Sequence, residues 1–325
     1  MKEEEIRPKK IFDKYLSLSK NDIEIFFKGK DTIEVLCPAC GKDGEFMFKK
    51  DSFSYKECKD CKTLYVSPRP KKDAFNRYYM ESESSKYWAT TFYKVTQEAR
   101  REKLWKPKAK MVMEKLSFFS PDSKYIVDIG GGYGIFAEEF KKISPIEPIV
   151  VEPSSNLAQI CRDKGLTVVE KFLENMNKDD LPSSGKSFVS FELFEHLYSP
   201  KEFLVKLKNI INSGDVFIFT TLSSMGIDIQ VLWDKSKSIS PPHHLNFLNP
   251  KSIKFLLCSL DFEVLEITTP GKLDLDIIEN NKNFINDRFW KAFIDYGDNE
   301  DKVDIQQCIS KNLFSSHMMI VCRKL

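Results

Sequence analysis

From residue 124 onward, short apolar runs alternate with segments of helical periodicity, and no other feature restricts the fold as strongly. YIVDIG, PIVVE, LTVV, SFVSFE and DVFIFTT are too short for helices and rich in the β-branched and aromatic residues that suit a pleated surface. Between them, IFAEEFKKI, NLAQICRDK and KEFLVKLKNII gather apolar residues on one helical face. That rhythm describes a parallel sheet covered by helices, an α/β fold. FEVLEITT, after the helix KSIKFLLCSL, adds a sixth strand, and MMIVCRK near the end adds a seventh. Residues 272–312, rich in Asn, Asp and Lys, read as a helical insertion before that last strand.

The N-terminal third obeys different rules. Its four cysteines stand as CPAC (Cys37, Cys40) and CKDC (Cys58, Cys61), two tight knuckles at the spacing of a zinc ribbon. Four thiolates close a tetrahedron, leave no open position for water, and so predict a structural Zn2+. Cys161, Cys258, Cys308 and Cys322 lie in apolar segments without partner spacing and are expected in the core. The chain thus divides into an N-terminal segment (1–30), a zinc ribbon (31–70), a helical connector or cap (71–120) and the α/β domain (121–325).

Composition limits the functions. At 325 residues with 42% apolar and 13% aromatic content, the chain supports a sizeable core. It has no long uncharged apolar run for a bilayer span. MKEEEIRPKK lacks the apolar stretch of a secretion signal, so a cytoplasmic setting with reduced thiols is expected. A net charge of +2 argues against a general nucleic-acid coat, although residues 1–110 hold 26 Lys and Arg against 18 Asp and Glu. That basic front would attract a phosphate-bearing substrate or RNA.

The first strand of the α/β domain runs into DIGGGYG, with Asp128, Gly130, Gly132 and Gly134 in the order D-x-G-x-G-x-G. Glycines there turn the chain sharply from strand to helix and let a ligand approach the backbone, a device shared with dinucleotide sites. Glu152, ending the second strand in VVEPS, is placed to accept ribose hydroxyls. With the FELFEHL segment and the closing hairpin, these motifs make residues 124–325 resemble the class I S-adenosylmethionine-dependent methyltransferases. The resemblance implies a Rossmann-like seven-stranded sheet and S-adenosylmethionine as cofactor. It also implies that the glycine loop underlies the methionine part, Glu152 holds the ribose, and Phe172 and Leu173 flank the adenine. Glu192 is expected to face the cofactor's amino group, and His196, beyond Glu195, to line the substrate pocket. Where that family commonly carries an acidic residue before the fourth strand, this chain has Lys186 and Ser187.

After the fifth strand comes SPPHHLNFLNP, a proline-stiffened loop with adjacent His243 and His244 in a chain of four histidines. Together with the four-cysteine unit, HHLNFLN is similar to a loop of the zinc-containing sugar C-methyltransferases, with His244 at the family's histidine and His243 where that family has an acidic residue. The resemblance implies methyl transfer to a small molecule, a sugar or nucleotide sugar for surface polysaccharide or another secondary product. His244 would be the base, assisted by His196 or His243. Helix capping by surface histidines is the competing role for the pair. Tyr79, Tyr87, Trp88 and Arg101 are candidates to cover the cofactor, or to form core. Two other functions stay open: an RNA methyltransferase gripping phosphates through its basic ribbon, and a zinc-dependent interaction protein with a non-catalytic fold.

Overall fold

The computed structural model describes all 325 residues and divides into two compact units. One comprises Ala99–Thr221, Ile253–Ile267 and Met319–Leu325; the other, Met1–Glu98, Leu222–Ser252 and Thr268–Met318.

The first unit is built on a seven-stranded mixed sheet. Its strands, in chain order, are Tyr125–Ile129, Glu147–Val151, Thr167–Val169, Lys186–Ser190, Val216–Leu222, Phe262–Thr268 and His317–Lys324. All seven expected runs form strands. Their spatial order is third, second, first, fourth, fifth, seventh, sixth. The order reverses between the first and fourth strands, and beyond the carboxyl ends at such a reversal open α/β sheets bind ligands. Every residue of Lys186–Ser190 is buried, as expected where helices cover both faces. Ile126, Val189, Val216 and Ile218 pack with Phe136 and Phe140 and with Val112 and Leu116 of the helix Lys106–Phe119. Lys186 enters this apolar setting because its ammonium donates to the carbonyls of Pro182 and Ser183, 2.6 and 3.1 Å away. The strand therefore starts where the sequence departs from the related pattern.

The second unit has a different construction. A four-stranded antiparallel sheet orders Asn246–Phe247, Leu64–Val66, Phe53–Cys58 and Gly44–Lys50 side by side. Asn246 and Phe247 come from the HHLNFLN segment, so this stretch is partly an edge strand of the cysteine-bearing sheet. Arg69–Pro70 also pairs, forming a short ladder with Thr32–Ile33. Residues 272–312 supply helices Asp274–Asn280, Arg288–Tyr296 and Asn299–Lys311. Asp287 and Asp298 cap the last two by accepting amide protons, a local use for the segment's acidic residues. Ile278, Ile285, Ile294 and Ile309 pack there with Leu232.

Two cysteine expectations are corrected. Cys161 and Cys322 are buried, but Cys258 and Cys308 are exposed. Both sit on amphipathic helices, Cys258 ending Pro250–Cys258 and Cys308 lying beside the buried Ile309, where a neighbouring position faces water.

Candidate active site and metal centre

At the reversal point the glycine loop is built for backbone reasons. Gly130, Gly132 and Gly134 have φ of 74°, 55° and 66°, the left-handed region that side chains penalise. A Cβ on Gly134 would lie 2.8 Å from Cys161 Sγ and from Leu166, so that glycine serves the packing of the helix Ile135–Ile143. At Gly132 a Cβ would meet nothing within 4 Å, which leaves the middle of the loop open to a ligand.

Asp128, Glu152, Glu192 and Glu195 lie in this unit at or near the carboxyl ends of its strands. Asp128 is buried and its carboxyl is pushed up to about 7, first by burial and then by the Glu152 charge, against the pull of Lys108. Glu152, also raised by burial, accepts the amides of Gly132 at 3.0 Å and Ser154 at 2.9 Å, one on each oxygen. Each oxygen keeps a lone pair for a ribose hydroxyl. Glu195 is buried, accepts the Thr221 hydroxyl at 3.2 Å, and is raised by burial and by Glu192. Glu192, at φ 53°, accepts the Thr220 hydroxyl at 3.0 Å and the Lys108 ammonium at 3.1 Å. A cradle with this acidic bias suits a cationic ligand: S-adenosylmethionine carries a sulfonium and an ammonium, whereas a dinucleotide brings an anionic pyrophosphate. The open glycine, the two-oxygen acceptor and the acidic lining all fit that cofactor.

The remaining expected residues divide. Leu173 is buried in the short turn Leu173–Asn175 after the third strand, while the Phe172 ring beside it is 60% exposed, available to a planar ligand. His196 is half-buried in the turn Phe194–His196. Arg101 is spent elsewhere, on ion pairs with Glu138 at 3.0 Å and with Glu139, so it fastens a helix. Lys108 escaped sequence reading because it belongs to no motif. Its ammonium lies 4.8 Å from the Phe191 ring centre and 5.0 Å from that of Trp105, a desolvated cation–π setting beside Glu192.

In the other unit, Cys37, Cys40, Cys58 and Cys61 converge, with all four sulfurs within 4.8 Å of one another. Three of the separations are 3.4, 3.4 and 3.5 Å, too long for disulfides at about 2.05 Å. Zn–S bonds of about 2.3 Å give tetrahedral edges of about 3.8 Å, which this set reaches with small adjustments. The knuckles match: the Gly41 amide donates to the Cys37 carbonyl and the Lys62 amide to that of Cys58, both donors at positive φ. This four-cysteine cluster can bind a metal and suits Zn2+.

The two adjacent histidines in the same unit are opposites. The His243 ring is enclosed by Tyr15, Tyr78 and Tyr79, and its Nε2 lies 2.6 Å from the Tyr78 hydroxyl. Burial, with the His244 charge adding, pushes it down to about 3, so it is neutral near pH 7. His244 Nδ1 lies 2.6 Å from the Ser238 carbonyl oxygen, which only accepts. Nδ1 therefore carries the proton, and the neutral ring's basic nitrogen is Nε2. Neither histidine caps the following helix, since the Asn249 side chain accepts the amides of Lys251 and Ser252. Tyr87 and Trp88 belong to the aromatic core around Phe12, Tyr15 and Phe92, and Tyr79 is 41% exposed.

A family described as "Methyltransferase domain" matches residues 98–267, more than half of the chain. The chain belongs to that family and is an S-adenosylmethionine-dependent methyltransferase. No curated protein matches the sequence. Among solved structures, it is similar to a methyltransferase of Thermotoga maritima described as a possible histamine N-methyltransferase, at 16% identity and TM-score 0.45, over 72% of this chain and 98% of that one. A methyltransferase of Archaeoglobus fulgidus gives 17%, 0.46, 71% and 100% for the same quantities. The magnesium protoporphyrin IX methyltransferase of Synechocystis PCC 6803 gives 9%, 0.48, 74% and 97%.

Proposed function

We propose that the enzyme methylates a small molecule, a sugar or nucleotide sugar, at a carbon or oxygen whose proton is removed by His244. The observation that carries this reading is the bond from His244 Nδ1 to the Ser238 carbonyl, which fixes the tautomer with a basic Nε2. The Tyr55 hydroxyl donates to the His244 carbonyl at 2.8 Å, and the Phe247 ring meets the imidazole edge-on, so both backbone and ring are held. Bound S-adenosylmethionine supplies an electrophilic methyl group. Asp128, Gly130, Gly132, Gly134, Glu152, Phe172, Leu173 and Glu192 form its cradle. The sugar class rests on the likeness of HHLNFLN and the four-cysteine unit to the zinc-containing sugar C-methyltransferases.

His243 stands where those enzymes have an acidic residue, but its burial and neutrality give it a packing role, that of fixing the loop from which His244 projects. His196 is the remaining candidate to assist. Cys37, Cys40, Cys58 and Cys61 hold a structural Zn2+ that shapes the sheet to which this loop adds a strand.

The test is methyl transfer from radiolabelled S-adenosylmethionine to a panel of nucleotide-linked keto- and hydroxy-sugars, with RNA and simple amines alongside. Labelling of nucleotide sugars that His244→Gln abolishes supports the reading. Labelling confined to RNA or amines, or unaffected by His244→Gln, refutes it.

A further inference from the structure

The first third of the chain carries an excess of basic residues, and part of it lines a cavity in the cysteine-bearing unit. The cavity measures about 390 Å3, within the range of small-ligand pockets. Its walls are the helix Lys9–Phe26, the hairpin end after Gly44–Lys50, and the segment leading into the histidine loop as far as Pro241. Lys20 and Lys235 on its rim are matched by carboxylates: Lys20 by Asp51 at 3.8 Å and Lys235 by Asp234 at 2.5 Å. Lys49, Lys50 and Lys237 also line it and form no ion pair with any carboxylate. Lys50 is half-buried and donates to the Ser236 carbonyl at 2.7 Å, and Lys237 lies 5.9 Å from the Phe12 ring centre.

Five lysines against two carboxylates, Asp51 and Asp234, leave the lining with a net positive charge that a polyanion would offset. We propose that this cavity binds the phosphate groups of a small phosphorylated ligand, with Lys49, Lys50 and Lys237 as its cationic contacts. A recess of this volume takes one or two phosphates, whereas a nucleic-acid backbone needs a continuous basic track. That the ligand is the methyl acceptor rests on the function proposed above; the anion site itself does not. Lys50 adds a signature. Burial, with the Lys20 and Lys235 charges adding, pushes its ammonium down to about 8 against the pull of Asp51 and Asp234, so an arriving anion draws a proton onto it.

The test is isothermal titration of the full-length, metal-replete protein with inorganic pyrophosphate at pH 8 and low salt. One saturable site per chain is expected. Lys49→Ala with Lys237→Ala should weaken it about tenfold or more while zinc content and the circular dichroism spectrum stay those of the parent, which shows that the cysteine-bearing unit is folded. Binding heats in two buffers of different ionisation enthalpy should reveal proton uptake that Lys50→Met removes. No saturable binding, or equal affinity in the double variant, overturns the proposal. So does a mixed-sequence RNA that binds tightly and is not displaced by pyrophosphate. Pyrophosphate binding that depends on the lysines, without methylation of any nucleotide sugar, would keep the site and reject the acceptor. Methylation of a nucleotide sugar with an unchanged KM in the double variant would reject the link between them.

Discussion

The two units solve the same problem with different chemistry. The sheet unit is held by apolar strands, with Ile126, Val189, Val216 and Ile218 packed against helices that follow or precede them. The other unit, which like the sheet unit draws on three separated stretches, relies in addition on buried polar groups within and between them. Asp274 accepts the Ser315 hydroxyl at 2.6 Å, the Ser316 amide at 2.8 Å and the Gln306 amide group at 2.8 Å. Arg69, fully buried, donates to the Val66 carbonyl and to Asn246, and Asn249 donates to the Cys61 carbonyl at 2.7 Å. Apolar burial is tolerant and additive, while a buried polar network fails when one member is lost. The two units should therefore respond very differently to small chemical insults.

The largest difference should come from the metal. Structural Zn2+ contributes on the order of 10 kcal/mol to small zinc-dependent folds, so chelation or Cys58→Ser should melt the cysteine-bearing unit and leave the sheet. Metal analysis with circular dichroism and S-adenosylmethionine titration reads both halves. Cofactor affinity is expected to outlast the loss of zinc. Next, Asp274→Ala leaves several buried donors without an acceptor and should cost about 3 kcal/mol in that unit, measured by urea denaturation. In the sheet unit, Glu152→Ala leaves the apolar core intact and should act mainly on binding, weakening S-adenosylmethionine by about 1.5–3 kcal/mol in calorimetry.

The contrast also explains what the sequence could tell. The seven strands were legible because a period-two or continuous apolar run is a local signal, and the glycine loop because positive φ demands glycine at fixed spacings. Cys37, Cys40, Cys58 and Cys61 were legible for the same reason, each pair writing its turn into four residues. The pairing of Asn246–Phe247 with Leu64–Val66, the burial of Arg69 and the partnership of Lys108 with Glu192 were not, since each joins distant residues without a motif. Arg101 misled because an arginine near a site looks identical in sequence whether it meets a ligand or Glu138 and Glu139.

An effect of similar size, spread over pH, separates the adjacent histidines. His243, held neutral down to about pH 3 by burial, takes up its proton in the unfolded chain near 6.5. Its folded-state value is depressed, so the stability it contributes is complete above pH 6.5. That stability is lost by about 1.4 kcal/mol per unit as pH falls from 6.5 toward 3. Asp128 and Glu195, with raised carboxyls, slope the other way, so the difference between the parent and His243→Asn is the informative quantity in urea melts from pH 6.5 to 4.5. It should shrink with acidification.

Proton removal by His244 is tested most directly by the single-turnover rate of methyl transfer against pH for the parent and His244→Gln. The parent rate should fall on acidification as one imidazole is protonated. His244→Gln should be slower by about a hundredfold to ten-thousandfold, lose that pH dependence, and bind S-adenosylmethionine as the parent does. A variant that keeps both the rate and the pH profile would show that His244 removes no proton.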